Sequence, residues 1–286
     1  MLCQLQVCVS LAQRKLPLEQ RDKIILPSLP MKLRVVFEDQ DLIVFDKPPG
    51  LIVTKSETQD GKTLEDILVD DYKINIERGG VVHRLDKDTS GLIVAAKSDL
   101  ALANLQEQFK TREVKKSYLA LVHGIVKNPG RIEGAIGRNP GDREKFVVFN
   151  QEGGKEATTE YTPLEQRIMS EEMVKTIFPD FNKIQMRKIS NSNYSLFTMV
   201  ECYPLTGRTH QIRVHLKHIG FPIVGDGKYV GRKTSRLDHR WCKRQFLHAT
   251  KLSFKHPTNG KEMRFESLLA EDLQQAWNRL TPYLSS

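Results

Sequence analysis

Several things are missing from this chain. No run of about eighteen apolar residues occurs, the length a membrane-crossing helix needs, so no span is expected. Cysteine is scarce: Cys3, Cys8, Cys202 and Cys242 form no CxxC pair, which argues against both a zinc ribbon and a disulfide framework and fits free thiols in a reducing cytosol. There is no GxGxxG and no GxSxG. DGKT at 60–63 ends like a phosphate-binding loop, but the required first glycine would fall on Ser56. DTSG at 88–91 is near an aspartic-protease triplet but carries an extra serine and has no second copy. His210, His215 and His218 lack the spacing and the partner ligands of a metal site, so no metal is expected. The opening MLCQLQVCVSLAQRK has no basic start and is a poor signal peptide.

What is present is a hydrophobic fraction of 39%, enough for a core in a chain of 286 residues, and an unevenly placed positive charge. Net charge is +9, yet between Thr206 and His256 twelve Lys and Arg stand against Asp226 and Asp238 alone. A charge excess held in one window favours a surface that tracks phosphates, and nucleic acid is the expected partner.

LRVVF (33–37) and LIVFD (42–46) read as a hairpin, GLIVAA (91–96), SYLALVHG (117–124) and FLHATKLSF (246–254) as strands, and 156–162 and 194–203 as two more. Thr63 and Ser98 cap helices, the second over about 99–112. Ile212, Leu216 and Ile219 have helical spacing, with Thr209 as the expected cap and Gly220 as the stop; FPIVGD (221–226) reads as a strand and 268–280 as a closing helix. Residues 130–155 are expected as a long loop with one strand at 145–149, 168–192 as an irregular excursion, and 231–245 as an exposed basic loop. Irregular alternation with hairpin spacings predicts an α+β fold, a mixed and mostly antiparallel sheet with flanking helices and long loops.

One stretch resists a bland reading. VVHRLDKDTSGLIVAAK (81–97) sets five ionisable side chains between two apolar segments. Charges before a strand are ordinarily solvated turn residues. Here, however, Arg84 and Asp86 flank a single Leu85, so an extended backbone points both to one side while Leu85 anchors the other. A carboxylate beside a guanidinium stays ionised, as a nucleophile or general base must.

HRLDKDTSGLIVAAK resembles the signature of the RluA branch of the RsuA/RluA superfamily of RNA pseudouridine synthases. DKPPGLIV (46–53), KKSYLALVHG (115–124) and LTGRTHQIRVHLKHIGFPIVGD (205–226) resemble that family's other motifs, in the same order, across roughly 32–270. The resemblance implies the family's catalytic fold over 31–286 and these roles: Asp86 as catalytic aspartate, Tyr118 as the tyrosine that stacks on the target base and is a candidate to take its C5 proton, Arg213 as the basic residue that pairs with the aspartate, Arg84 as the residue that helps displace the target nucleotide, Ile212 as an apolar contact to the base. Lys47, Arg208 and His210 join the candidate substrate-binding set, Lys47 through support of the catalytic loop. Arg232, Lys233, Arg236, Arg240, Lys243 and Arg244 are expected to contact the RNA backbone collectively. The implied chemistry breaks the C1′–N1 bond of uridine and rejoins the uracil through C5. It needs a carboxylate, a proton acceptor, a cation and an unstacked base, and no cofactor.

The expected partner is structured RNA, ribosomal or transfer RNA, for a cytoplasmic monomer that uses neither membrane nor nucleotide cofactor. Residues 1–30 are expected as an N-terminal extension: either Met31 is the true start, or RDKIILP (21–27), which resembles the last strand of an S4 RNA-binding domain, marks a remnant, the reading favoured. A non-catalytic RNA-binding or ribosome-assembly factor on the same fold is the alternative function.

Overall fold

The computed structural model describes residues 33–55, 61–149 and 153–283; the N-terminal extension expected over 1–30 lies outside them. The first elements follow from the sequence directly. β1 (Arg34–Glu38) and β2 (Leu42–Lys47) form an antiparallel hairpin, closed by the Asp39 carboxylate, which accepts from the amides of Asp41 (2.8 Å) and Leu42 (2.9 Å). α1 (Leu64–Asp70) starts in a reciprocal capping box of Thr63 and Asp66. β3 (Ser90–Ala96) is buried at every position, which is why it reads as a continuous apolar run. α2 (Asp99–Lys110) is capped by Ser98.

The middle of the chain departs from expectation. The loop expected at 130–155 is a hairpin, β5 (Gly130–Asn139) and β6 (Asp142–Phe149). Its glycines and arginines hide the strand pattern, because the surface over β5 is filled from neighbouring strands: a Cβ on Gly134 would lie 2.4 Å from a Val148 methyl. β4 (Lys115–His123) precedes it, and β7 (Lys155–Ile168) follows and runs well past the expected end at 162. The excursion at 168–192 holds two short helices, α3 (Glu171–Ile177) and α4 (Lys183–Ser190), capped by Ser170 and Asn182. β8 (Leu196–Pro204) leads to α5 (Gln211–His218). His210, not Thr209, stands at the N-cap of α5, in a left-handed conformation (φ 56°) with no side-chain cap. FPIVGD is no strand. Ile223 makes one bridge to Val122, and the chain then turns at Asp226, whose carbonyl accepts from Val230 N at 3.1 Å. The expected basic loop contains α6 (Arg232–Asp238) and, beyond it, the buried Trp241 and Cys242. β9 (Leu247–Lys255), β10 (Glu262–Glu266), α7 (Glu271–Asn278) and β11 (Thr281–Pro282) complete the described chain.

The strands make one mixed sheet in the order β1-β2-β3-β9-β4-β8-β7-β5-β6, with β10 on β9 and β11 on β7. All its pairings are antiparallel except β3 with β9. Alternate residues of β2 and β3 feed two cores. Ile43, Phe45, Ile93 and Ala95 join the large cluster that reaches to Phe197, Trp241 and Trp277, while Leu42, Val44, Leu92 and Val94 pack under Leu102 and Leu105 of α2. The parallel contact is short, Ser90 with His248 and Gly91 with Ala249. It sits directly after the charged stretch 83–89 and ties that stretch to the centre of the sheet.

Gly91 makes this junction feasible. Its φ is +110°, and a Cβ there would stand 2.2 Å from the Ala249 carbonyl oxygen. Replacing Gly91 with Ala must distort β3 or β9, so G91A is expected to lose about 3 kcal/mol of stability or more. G207A, with open space around its Cβ, is expected to stay within about 0.5 kcal/mol. Urea unfolding midpoints of the two variants measure the difference.

Candidate active site

The segment 83–90 is held from several directions. His83 is fixed by its Nε2, which accepts from Val94 N (3.1 Å), and by its ring, stacked on Phe109 at 4.7 Å; burial pushes its pKa down to about 3, so the ring is neutral. Leu85 is buried in the large core, leaving Arg84 exposed and Asp86 half-buried on either side. The Asp86 carbonyl closes a turn by accepting from Thr89 N at 3.0 Å.

Lys47 is fully buried beneath this turn. Its ammonium donates to the carbonyls of Pro48 (2.9 Å), Leu51 (3.0 Å) and Lys87 (3.0 Å), joining the KPPG turn to the loop after Asp86. Burial lowers its pKa to about 7. It does not line the cleft, so its part is support rather than contact with substrate. Arg244 grips the same loop from the other side, donating to the Asp88 carbonyl (2.8 Å) and Ser90 Oγ (3.0 Å) while Asp272 takes two hydrogen bonds from it (2.7 and 2.9 Å). Gln245 adds a bond to Thr89 Oγ1 at 2.9 Å.

Opposite stands α5. Arg213 lies in its first turn, where the helix dipole disfavours a cation, and is held by two carboxylates. It donates to Asp226 from Nε (2.7 Å) and Nη2 (2.8 Å), and to Asp86 from Nη1 (2.9 Å). Burial opposes its charge and pulls its pKa down, but Asp226 and Asp86 outweigh this and raise it. Asp226 is fully buried and also accepts from Lys228 N at 3.0 Å. The guanidinium partner of Asp86 is thus Arg213 and not Arg84, because Arg84 turns outward from the extended segment.

His210 Nε2 lies 3.9 Å from Asp86, and its Nδ1 meets the Tyr229 hydroxyl at 2.8 Å. Phe146 N donates to that hydroxyl, so Tyr229 ties the His210 ring to β6. Burial lowers the His210 pKa to about 4. Tyr118, on β4, is buried against the cleft; burial first, and then the Asp86 charge, push its pKa well above the ordinary phenol range.

The cleft has a volume of about 580 Å³. Arg84, Asp86, Tyr118, Arg208, His210, Ile212 and Arg213 all line it. Gln211 fixes the turn that bears three of them: its buried amide accepts from Thr206 Oγ1 and Arg208 N and donates to Thr158 O and Thr159 Oγ1. Sequence reading passed over Gln211, Asp226 and Tyr229, although all lie within or beside the fourth motif.

The basic segment is different. Arg232, Lys233, Arg236 and Lys243 are exposed, but none of them lines the cleft. Arg244 is 9% exposed and spent on the loop after Asp86 and on Asp272, which removes it from the expected RNA contacts. Arg240 is paired with Asp180 and packed 5.2 and 5.0 Å over the Phe178 and Phe181 rings, so its charge is largely satisfied within the protein. Among the described residues one group has metal-ligand spacing: Asp39, Asp41 and His256. Its imidazole is already committed, with Nδ1 accepting from Thr258 N and Asn259 N, so Nε2 carries the hydrogen given to Asp39 at 2.9 Å.

Residues 41–218 match the family model described as RNA pseudouridylate synthase. The chain is 39% identical over 252 residues to an uncharacterised RNA pseudouridine synthase of Bacillus subtilis, covering 86% of this chain and 72% of that one. It is 37% identical over 252 residues to ribosomal large subunit pseudouridine synthase D of Pseudomonas aeruginosa, covering 85% and 70%. The solved structure of human RNA pseudouridylate synthase domain containing 1 superposes with a TM-score of 0.64 at 26% identity, over 89% of this chain and 91% of that one. The chain belongs to the RNA pseudouridylate synthase family. It is an enzyme that isomerises uridine to pseudouridine in RNA.

Four imidazoles here are held uncharged by burial: His83, His210, His215 and His248. Each has a folded pKa below its unfolded value, so the unfolded chain binds more protons as pH falls below about 6.5. Stability is expected to be fully present above that pH and to decline from about 6.5 towards 4, with net uptake of two to four protons on unfolding. Urea midpoints at half-unit pH steps measure the slope; a flat profile over this window contradicts the neutral assignments.

Proposed function

We propose that Asp86 is the catalytic carboxylate and that the substrate is large-subunit ribosomal RNA. The observation that carries the first reading is the single hydrogen bond from Arg213 to Asp86 Oδ2, which holds a negative carboxylate at the floor of the cleft while Oδ1 receives no hydrogen bond from the described residues. In the nucleophilic route Oδ1 bonds to C1′ of the flipped uridine, and the C1′–N1 pair leaves with N1. The freed uracil turns, C5 displaces the carboxylate at C1′, and the C5 proton passes to a base. In the glycal route Asp86 takes the C2′ proton instead.

Tyr118 and Ile212 pack on the uracil. Burial keeps Tyr118 a phenol, which suits a stacking ring; it serves as the base only if its own proton is passed on in the same step. Arg84, exposed at the mouth, occupies the space left by the extruded nucleotide. His210 and Arg208 bound the opposite side. Lys47 stiffens the loop that carries Asp86. Ribosomal RNA is favoured by the Pseudomonas relative named for it, and transfer RNA is the competing substrate. The enzyme acts as a cytoplasmic monomer with no nucleotide cofactor; unpaired, buried Cys202 and Cys242 are in keeping with a reducing compartment.

D86N is expected to abolish pseudouridine formation while RNA affinity stays within about threefold. D226N leaves Arg213 with one charged partner and is expected to lower kcat by about 10²-fold, with a stability loss of about 3 kcal/mol. Unmodified large-subunit rRNA and tRNA transcripts, incubated with each protein and mapped at base resolution for pseudouridine, check both. Full activity of D86N refutes the Asp86 assignment, and modification confined to tRNA refutes the ribosomal substrate.

A further inference from the structure

The cleft has a second bank, and the activity described above leaves it unused. Beyond Asp86 it is lined by Arg78, Phe109, Arg112 and Lys116, from three separate parts of the chain gathered at the C-terminal end of α2. The short turn 77–80 that carries Arg78 packs against α2. Phe109 lies in the last turn of α2, with His83 stacked on it. Arg112 follows the helix, and Lys116 reaches over from β4 to place its ammonium 5.6 Å from the Phe109 centroid.

The backbone at two of these positions is costly. Arg78 (φ 53°) and Arg112 (φ 63°) both adopt the left-handed conformation. Arg112 occupies the position after the helix C-cap, where glycine is the usual choice, and Arg78 opens a left-handed run completed by Gly79 and Gly80. The chain thus keeps arginine at two sites where glycine would cost less, and both arginines line the cleft. Strained non-glycine residues gather where function holds them.

The charges are also unspent. Arg78, Arg112 and Lys116 pair with no carboxylate among the described residues. Two acids near Arg112 and Lys116 in sequence are taken, Glu107 by Lys110 and Glu113 by Lys255. Lys116 is partly desolvated, and burial lowers its pKa to about 8. A desolvated cation without a counter-ion destabilises the free protein, and an arriving anion relieves that penalty. Complementing the dipole at the end of α2 accounts for one cation there, and Lys110 in its last turn already supplies it.

We propose that Arg78, Arg112 and Lys116 form a phosphate-binding bank that holds the sugar-phosphate backbone of nucleotides flanking the target uridine. It rests on the RNA-modifying reading of the same cleft. The basic window at 206–256 is the sequence-evident RNA surface, yet of its cations only Arg208 and Arg213 line the cleft, and Arg213 is paired to Asp226 and Asp86. This bank is formed by residues scattered over 78–116 whose charge excess the sequence does not show.

The test uses the full chain and an unmodified large-subunit rRNA transcript, with dissociation constants measured from about 50 to 300 mM salt. The triple variant R78Q/R112Q/K116Q is expected to bind at least 30-fold more weakly at low salt. Its log K against log salt line is expected to be shallower by about two to three, since each phosphate contact contributes about 0.7 to 0.9 to the slope. The loss falls mainly on KM. The charge-conserving K116R, alone, is expected to restore most of the affinity that K116Q alone loses. Affinity and slope equal to those of the unmutated chain overturn the proposal, as does weaker binding with an unchanged slope, which signals a structural defect. If the unmutated chain binds and modifies only tRNA, the ribosomal reading fails, and the same salt series on a tRNA transcript decides the bank independently.

Discussion

A single guanidinium suspended between two carboxylates organises this enzyme. Arg213 is buried, and a buried charge is tolerable only when paired and hydrogen-bonded. The two partners divide the work unequally. Asp226, with no exposure, takes two of the donors and accepts from a backbone amide as well; Asp86, side chain 19% exposed, takes one. Asp226 therefore fixes where the cation sits, and Asp86 is drawn to it while retaining an oxygen towards the cleft. A planar fork with fixed donor directions can do this, where a lysine ammonium would place a charge without an orientation.

The other half of the site is a loop, and its rigidity is borrowed. Lys47 joins carbonyls on both sides of a sequence separation of 40 residues, and Arg244 reaches the same loop from a separation of 156. Neither touches the cleft. Between them they spend their donors on backbone carbonyls, the Ser90 hydroxyl and a carboxylate, so the loop bearing Asp86 is tied at Lys87, at Asp88 and at its junction with β3. A precise carboxylate position on a loop requires such support.

How far this was readable depended on whether chemistry and geometry shared a local signal. β2 and β3 carry continuous apolar runs and β9 a run of strand-forming residues, so all three could be placed from composition, as could the starts of α1 and α2 from Thr63 and Ser98. β5 could not, because its glycines are explained only by what crowds them in the fold: Tyr161 at Gly130, Val148 at Gly134, and Phe149 with the Gly153 carbonyl at Gly137. FPIVGD has strand composition, yet the turn at Asp226 is set by Arg213, thirteen residues away. Motif resemblance pointed to the residues that line the cleft. It gave no sign that Asp226, an acid after a glycine in an ordinary turn context, is buried beneath them. Charge in a sequence carries no direction, which is why Arg244 was expected on the surface and lies inside, and why Arg78, Arg112 and Lys116 went unremarked.

The position of β9 has a consequence for how the enzyme comes into being. It lies between β3 and β4, so the strand following the Asp86 loop and the strand bearing Tyr118 meet only through residues 247–255, synthesised well over a hundred positions later. Until that strand emerges from the ribosome, the nascent chain lacks the ladder that joins β3 to β4. The cleft is consequently among the last features to close, and a partly made chain has no assembled site.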